Sequence, residues 1–242
     1  MKSALFAVAL GASILGGAQA ASAGSVLATY YKATAGGDFE NLCCSTSIEL
    51  GPVLGPNGLP VWLSGEPVVE LNAFNEIGWW TPDGSHIVQE GPSAAVATPY
   101  ADGSMFTPFG TGSSNGGANG FQTARFTGVF NTLGPSTLIN FNVTSDDDIF
   151  VFIDGAYVDS DIDGIHAPEF DSFSTSVGAG LHTFNLFYAD RHTVQAVLNF
   201  DIEGAELRIP GVPEPTSWAL MIIGFGGVGA MIRRRRAVAA TA

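Results

Sequence analysis

The chain has 242 residues, of which 23 are acidic and nine are basic, and its formal net charge at pH 7 is −14. Without its two apolar ends it keeps 22 of the acids and only four basic residues, so this part carries a net charge of −18. Such a surface repels nucleic acid and anionic lipid and attracts divalent cations. Binding of nucleic acid is therefore excluded, and roughly 190 residues remain for one domain with a core.

The N-terminus has the pattern of a secretory signal peptide. Lys2 gives a positive start, residues 5–15 form an apolar segment, and Ala18-Gln19-Ala20 offers a small-residue cleavage site. Ala21-Ser22-Ala23 is a second possible cleavage site. Residues 1–23 are therefore predicted to be a signal peptide, and the chain is predicted to be exported.

The two cysteines, Cys43 and Cys44, are adjacent, so no disulfide within the chain closes a loop. Export favours oxidation. Three states stay open for the pair: a strained vicinal disulfide, a bond to another chain, or two thiols in a loop without function.

Residues 24–207 are predicted to form a single all-β domain, an antiparallel β-sandwich. Short alternating apolar and polar runs, separated by Gly, Pro, Asn and Asp, are typical of strands with one buried face. The strand candidates are 26–31, 61–63, 68–71, 125–130, 139–143, 184–188 and 198–202. The run 149–153 is apolar on both faces and predicts an interior strand, and Asp154-Gly155 predicts a hairpin turn into 156–158. Residues 102–120 predict a long Gly/Ser/Asn-rich loop.

Acidic residues concentrate between positions 146 and 171, where nine of them fall. Adjacent like charges such as Asp146-Asp147-Asp148 repel one another unless water or a cation compensates them. Hard cations such as calcium take six to eight oxygen ligands, often from carboxylates, so calcium is the cofactor hypothesis. Because neighbouring side chains of a strand point to opposite faces, Asp146 and Asp147 share one ion only if the backbone is kinked, for example by a cis peptide bond.

A second acidic group, Asp159, Asp161 and Asp163, has the spacing of the start of an EF-hand loop and ends at Gly164. The twelfth position of that loop requires a bidentate Glu, but Phe170 occupies it. Flanking helices are also not predicted. A solvated acidic loop is the favoured interpretation of this group, and another kind of calcium loop stays open.

Several other residues have two interpretations. Asp190-Arg191-His192 places an acid, a cation and a base together, but we expect Arg191 to pair with an acid and His192 to pack at a strand end. His166 and His192 together are weak evidence for a transition-metal site. The tryptophans either pack in the core, which is the commoner use, or stack on sugar rings; they are Trp62, Trp79 and Trp80. No nucleophile motif, zinc spacing or phosphate loop occurs, so we expect no enzymatic activity.

The C-terminal segment combines a proline-containing linker, 208–217, with an apolar run and a basic stop, 218–236. Trp218 suits the headgroup level and the arginines 233–236 the cytoplasmic side, which predicts a single apolar membrane helix. The run is short for a permanent span, because about 20 apolar residues are usual.

This segment resembles the PEP-CTERM sorting signal in its Pro-Glu-Pro-x-x-Trp-Ala form. The matching residues are Pro213, Glu214, Pro215, Trp218, Ala219, the Gly-Phe-Gly at 224–226, and Arg233, Arg234, Arg235 and Arg236. The resemblance implies handling by an exosortase, a transient stay in the inner membrane, and a destination at the cell surface or in an exopolysaccharide matrix such as a biofilm. A permanent single-pass anchor is the alternative.

The stretch 144–155 resembles the core of the fibro-slime domain, a relative of the protective-antigen-type β-sandwich of yeast flocculins. The segments 163–166, 188–192 and 199–202 resemble it as well, and 27–31 resembles the first strand of that type. In the flocculin lectins an Asp-Asp pair joined by a cis peptide holds calcium, which in turn holds sugar hydroxyls. The resemblance places that pair on Asp146-Asp147 and makes neighbouring motif residues candidates for ligand binding: His166, Asp190, Arg191, His192 and Asn199.

Together these features predict an exported, non-enzymatic module that binds or organises extracellular polysaccharide with calcium. Its candidate metal ligands are Asp146, Asp147, Asp159, Asp161 and Asp163. Two alternatives stay open. The first is a purely structural matrix protein without a specific ligand. The second is an enzyme that acts on polysaccharide. For Asp146 and Asp147 themselves, the alternative to calcium is a strand-entry turn whose carboxylates cap backbone amides.

Overall fold

A computed structural model describes residues 24–39, 47–101, 121–158, 162–192 and 196–210, with the single positions 222, 223 and 225. The elements in this part of the chain are antiparallel strands, so the predicted all-β sandwich is confirmed. In chain order they are β1 (Gly24–Ala33), β2 (Ile48–Leu50), β3 (Trp62–Gly65), β4 (Ile87–Gln89), β5 (Ala94–Thr98), β6 (Tyr100–Ala101), β7 (Phe121–Thr132), β8 (Thr137–Ser145), β9 (Asp148–Ile153), β10 (Ala156–Val158), β11 (Glu169–Val177), β12 (Gly180–Ala189) and β13 (Leu198–Glu203).

Two sheets form the sandwich. The larger has the strand order β10-β9-β12-β7-β1-β4, with β5 also paired to β1, and the smaller has the order β11-β8-β13-β6. Strands β2 and β3 pair separately. The centre of the larger sheet is the pairing of β12 with β7, which runs without interruption from Gly180↔Thr132 to Ala189↔Thr123.

The main core lies between the two sheets, because the alternating runs turn their apolar positions inward. Large aromatic side chains from both sheets meet there, and each is 2% exposed or less; among them are Phe126, Phe141, Phe184 and Phe200. The predicted alternation of 139–143 is confirmed, since Ile139, Phe141 and Val143 are at most 1% exposed.

A second core covers the other face of the larger sheet. Strand β9 is buried at every position: Ile149, Val151 and Ile153 face the main core, while Phe150 and Phe152 face the second core. The predicted interior strand is thus confirmed. Residues from the 47–87 region pack over this face, including Trp79 and Trp80, which are 0% and 3% exposed. These two tryptophans pack in the core, and Trp62 is half-buried.

The predicted hairpin turn is confirmed at Asp154 and Gly155, whose φ angles are 52° and 76°. Two consecutive residues with positive φ are the requirement of a type I′ turn, which matches the twist of the flanking strands β9 and β10.

The predicted strand at 68–71 is wrong, since only Leu71 makes an isolated bridge, to Ile77. The backbone N–H groups of Val69 and Glu70 donate to the Asp38 carboxylate instead, at 2.9 and 3.1 Å. A side-chain acceptor thus replaces a strand partner there. Strand β11 was not predicted, because its inward positions include the polar Asp171 and Thr175.

Several predictions lie outside the described residues: the signal peptide 1–23, Cys43 and Cys44, the loop 102–120, and nearly all of 211–242. Positions 222, 223 and 225 are helical. Within the described residues, no helix is long and apolar enough to cross a membrane. Arg208, the first residue of the predicted linker, still pairs with Val129 of β7 through two backbone hydrogen bonds of 2.7 Å.

Candidate functional site

The three consecutive aspartates lie at a sharp bend between two strands. Strand β8 ends at Ser145, β9 begins at Asp148, and Asp147 adopts a φ of 63°. Asp tolerates this left-handed conformation better than most residues because its short side chain bonds nearby backbone groups. The kink that a shared ion would require is present, but the cis peptide that the resemblance implies at Asp146-Asp147 is not. The bend comes from the positive φ of Asp147, and the cis peptide in the described residues is Thr98-Pro99.

The bend turns all three carboxylates inward, so Asp146 is 1% exposed and Asp147 and Asp148 are fully buried. A buried charge must be paired or neutralised. Asp147 and Asp148 have such partners, whereas the Asp146 Oδ2 atom does not.

The Asp147 carboxylate accepts hydrogen bonds from three backbone amides. The N–H of His166 donates to its Oδ1 at 3.0 Å, and the N–H groups of Arg191 and His192 donate to its Oδ2 at 2.6 and 2.8 Å. Burial and the charge of Asp148 raise the pKa of Asp147 to about 6, while the amide hydrogen bonds act in the opposite direction. Asp147 therefore ties two loops to the bend.

The Asp148 carboxylate is paired with Arg191. The Nε of Arg191 donates to Oδ2 at 2.5 Å, and the N–H of Gly164 donates to Oδ1 at 2.6 Å. The guanidinium also reaches both carboxylate oxygens of Glu66, at 3.1 and 3.3 Å, and lies 4.8 Å from the ring centre of Trp79. Burial lowers the pKa of Arg191, but Asp148 and Glu66 together raise it above its ordinary value. The expectation that Arg191 pairs with an acid is confirmed.

Asp146 differs from its two neighbours because its Oδ2 atom is buried and has no hydrogen-bond partner. Its backbone N–H donates to the Val197 carbonyl at 2.9 Å. Burial, followed by the charge of Asp147, raises the pKa of the Asp146 carboxyl to about 7. An oxygen in this state suits a proton or a hard cation.

A second carboxylate with a raised pKa belongs to Asp163, in the loop before β11, and it accepts a backbone hydrogen bond from Ile48. Burial, followed by the charge of Asp148, raises the pKa of Asp163 to about 7. The nearby His166 donates its Nδ1–H to the Ala167 carbonyl at 2.7 Å, so the lone pair of a neutral ring is on Nε2. That Nε2 atom is buried without a hydrogen-bond partner. Of the residues predicted to bind a metal or ligand, Asp146 and His166 thus each have a buried atom without a hydrogen-bond partner near the bend.

The other predicted residues have structural positions. Asp190 is fully buried at the end of β12, and its N–H donates to Gln122 at 2.9 Å. His192 is half-buried, and its backbone N–H bonds to Asp147. Asn199 lies on the outer face of β13, beside Thr144 of β8 and Ala101 of β6.

The predicted metal ligands are only partly described, because Asp159 and Asp161 lie outside the described residues. In the part of the chain that remains, no three His, Cys, Asp or Glu side chains form a ready metal site. The transition-metal hypothesis for His166 and His192 gains no support from this arrangement. A hard cation at Asp146 and Asp163 needs further oxygen ligands from another source.

Two groups of functional side chains were not predicted. Glu66 completes the pairing of Arg191 although it is 125 positions away in the chain, and no local pattern connects the two. A cleft of about 320 Å³ lies beside the second core, where His86 Nε2 is 2.6 Å from Glu70 Oε1. Isolated acids and histidines in an acidic chain give no signal for either group.

Comparison with known proteins relates the C-terminal segment to a family. The family model of the PEP-CTERM protein-sorting motif matches residues 211–236. No curated protein matches the chain.

Solved structures with partial similarity include two PA14 domains. The PA14 sugar-binding domain from an RTX adhesin is 16% identical, with a TM-score of 0.38, over 77% of this chain and 95% of that chain. The PA14 domain of the MpAFP antifreeze protein is 13% identical, with a TM-score of 0.37, over 78% and 92%. A β-glucosidase from Kluyveromyces marxianus is 10% identical, with a TM-score of 0.28, over 35% of this chain and only 10% of the enzyme. Similarity at this level carries no conclusion about ligand or activity.

The family match coincides with the residues that the sequence analysis identified in the tail. It includes the triplet 213–215, Trp218 and the arginines 233–236. The chain therefore carries a PEP-CTERM protein-sorting motif, which marks it as an exported surface protein sorted by an exosortase.

Proposed function

We propose that the β-sandwich is a non-enzymatic module that binds calcium at the bend between β8 and β9 and uses it to bind surface or matrix polysaccharide. The observation that carries this proposal is the Asp146 carboxylate, which is 1% exposed and has an oxygen without a partner. Its pKa, raised to about 7, indicates that the folded chain tolerates the negative charge poorly without a cation.

The charge balance around the bend supports a divalent cation. Four carboxylates lie there, on Asp146, Asp147, Asp148 and Asp163. Arg191 is the positively charged residue beside them in the described part of the chain, and it is already paired with Asp148 and Glu66. Calcium prefers carboxylate oxygens. Among the described residues we assign Asp146 and Asp163 as its ligands, and Asp159 and Asp161, which lie outside the described residues, are further candidates.

Asp147 and Asp148 have other roles in this proposal. Their carboxylate oxygens accept from backbone amides and from Arg191, so they hold the bend and the two loops in place. This differs from a calcium ion held by the Asp146-Asp147 pair, which the resemblance to flocculin lectins implies. In this proposal Asp146 keeps its role as a calcium ligand and Asp147 does not.

Polysaccharide is the expected ligand class because of the destination and the chemistry of the cation. A surface protein in a matrix meets glycans, and calcium takes six to eight oxygens, so sugar hydroxyls can fill positions that the protein leaves open.

Calcium binding is tested by titrating the purified full chain, in a mild detergent that keeps its apolar tail in solution, while its melting temperature is followed. We expect the temperature to rise with millimolar calcium and the rise to be lost in Asp146→Asn. Glu203→Gln, which removes an exposed acid at the end of β13, is the matched control and should respond like the wild type. No response of the wild-type chain to calcium refutes the calcium part of the proposal.

Glycan binding is tested on an array, with calcium and with a chelator. Binding that requires calcium and disappears in Asp146→Asn supports the proposal. Silence across many glycans with calcium present favours the second candidate, a purely structural matrix protein. The use of Asp147 and Asp148 as backbone and ion-pair partners is the observation that favours this second candidate.

The route of sorting is part of the same proposal. We expect an inner-membrane intermediate, cleavage by the exosortase near the Pro-Glu-Pro triplet, and release to the surface or matrix. Replacing Pro213, Glu214 and Pro215 by alanine should leave uncleaved chain in the inner membrane. Cell fractionation and the mass of the released chain measure this, and unchanged release contradicts it.

A further inference from the structure

Strand β11 is an edge strand that differs from the other sheet edges in length. It has nine residues, whereas the edge strands β4, β5, β6 and β10 of the two sheets have five or fewer. All nine residues pair with β8 in an unbroken register from Glu169↔Ser145 to Val177↔Thr137. Within the described part of the chain, β8 is its only strand partner. The other edge of β11 therefore offers a long, regular row of backbone donors and acceptors.

Such edges normally carry features that prevent pairing with another chain. These features are charged residues, proline, bulges or a covering segment. The stretch 172–177, Ser-Phe-Ser-Thr-Ser-Val, contains no charge, proline or glycine, and its register with β8 has no bulge. The edge is thus open to an added strand over most of its length.

The inward side chains of β11 are incompletely covered. Phe173 stacks on Phe141 with ring centres 5.1 Å apart, yet Phe173 and Val177 are only half-buried at the margin of the main core. On the outer face, Phe170 is 64% exposed and Leu138, which pairs with Ser176, is 53% exposed. Both faces of the strand therefore present apolar area beside the free edge.

We propose that β11 pairs antiparallel with β11 of a second copy of this chain, so that the two smaller sheets join into one continuous sheet. The register that overlaps all nine residues places Phe173 against its own symmetry mate. In that register Glu169 lies opposite Val177, and Asp171 lies opposite Thr175. No two acids face each other, although like charges directly opposite are destabilising and the chain is strongly acidic.

The same register brings the exposed apolar groups together. Phe170 of one copy lies opposite Ser176 of the other, and Leu138 flanks that serine on its far side. With neighbouring strands about 4.8 Å apart, the phenyl ring and the leucine cover the small side chain between them. On the inner face, Phe141 and Phe173 of both copies form one aromatic row across the junction.

The test is the mass of the full chain in solution, measured by sedimentation in a mild detergent at physiological salt with a chelator present. We expect a concentration-dependent monomer–dimer equilibrium. Ser174→Lys places a charge near the symmetry axis, opposite Ser172 of the partner, and should weaken the dimer at least tenfold. Ser136→Lys adds the same charge at an exposed turn before β8 and should leave the equilibrium unchanged.

Folding of each variant is checked by circular dichroism, and Phe170→Ser serves as a second disrupting variant because its side chain is mostly exposed. Hydrogen exchange gives an independent readout: amides of β11 that face the free edge should lose protection on dilution, while those of β8 keep it. A wild-type chain that stays monomeric up to millimolar concentration overturns the proposal. Equal dimerisation of Ser174→Lys and Ser136→Lys also overturns it. The chelator separates this pairing from calcium binding.

Discussion

Arg191 and Asp148 form a buried ion pair in which Nε donates to Oδ2 across 2.5 Å, and neither side chain is more than 1% exposed. Arg191 follows β12, Asp148 begins β9, and Glu66 extends the pair to the region that covers the second core. One guanidinium therefore connects the acidic bend, the larger sheet and the covering region.

Replacing Arg191 by methionine should destabilise the fold by about 3–5 kcal/mol, because removal of one partner leaves buried carboxylates without compensation. Urea denaturation measures the change. Arg208→Gln is the control, since Arg208 and Glu206 are 43% and 44% exposed and such surface pairs contribute about 0–1 kcal/mol. Similar losses in the two variants contradict the role given to Arg191.

Asp146 and Asp147 should respond in opposite ways to replacement by alanine. Asp147→Ala leaves three backbone N–H groups without their acceptor and should lower stability by more than about 2 kcal/mol, since each unsatisfied buried donor costs about 1–3 kcal/mol. Asp146→Ala, measured in a chelator at pH 8, should be neutral or stabilising, because it removes a buried charge whose pKa is raised to about 7. Denaturation curves of both variants decide this, and equal losses speak against separate roles.

His182 should give a pH-dependent contribution to stability. Its Nδ1 faces Asp154 Oδ2 at 2.6 Å and its Nε2 faces the Gly178 carbonyl at 3.0 Å, so both nitrogens donate only in the charged ring. The hydrogen bond to Asp154 is the main reason that the pKa of His182 is raised above 6.5. The contribution is complete below pH 6.5 and is lost as the pH rises through the folded-state pKa.

The melting temperature of the wild type should fall between pH 6 and pH 8, and His182→Gln should make this fall smaller. At pH 6 the substitution should lower the free energy of unfolding by less than about 1 kcal/mol, because Asp154 is 50% exposed. On the acid side the sign reverses. Although burial acts to raise it, hydrogen bonds from His182 and Thr183 lower the pKa of Asp154 below 3.8. Its contribution to stability is therefore complete above pH 3.8 and is lost as the pH falls through the lowered folded-state pKa. A profile identical to the wild type between pH 6 and pH 8 refutes the charged pair.

Gly155→Ala should destabilise the chain by about 1–2 kcal/mol through backbone strain alone. The φ of Gly155 is 76°, a region that L-residues avoid, and no atom lies within 4 Å of an added Cβ. Gly178→Ala is the matched control, because its φ is not positive and an added Cβ would meet only the Pro135 carbonyl at 4.0 Å. Thermal denaturation should show a clear loss for the first and none for the second.

The alternation of apolar residues was sufficient to predict the sandwich, because burial of one face dictates a period of two. The continuous apolar run at 149–153 predicted the interior strand, and the Asp154-Gly155 pair predicted the turn. It was insufficient for β11, whose inward positions are half polar, and for 68–71, where the Asp38 carboxylate replaces a strand partner. Both outcomes depend on contacts between distant segments.

The candidate site was predictable only as a cluster. The run of three aspartates indicated charge repulsion that water or a cation must compensate, but their spacing gave no indication of which carboxylate is capped, which is ion-paired and which is left without a partner. That division depends on the amides of His166 and His192 and on Glu66, all distant in the chain.

The contact of Arg191 with Trp79 places a fluorescent indole ring next to the acidic bend. The guanidinium lies 4.8 Å from the centre of an indole ring that is fully shielded from solvent, and it pairs with the carboxylate two positions after Asp146. Indole emission responds to the electric field of nearby charges. We therefore expect uptake of a cation at the bend to shift the intrinsic fluorescence of the chain, and Trp79→Phe to abolish that signal, so occupancy can be followed without any attached dye.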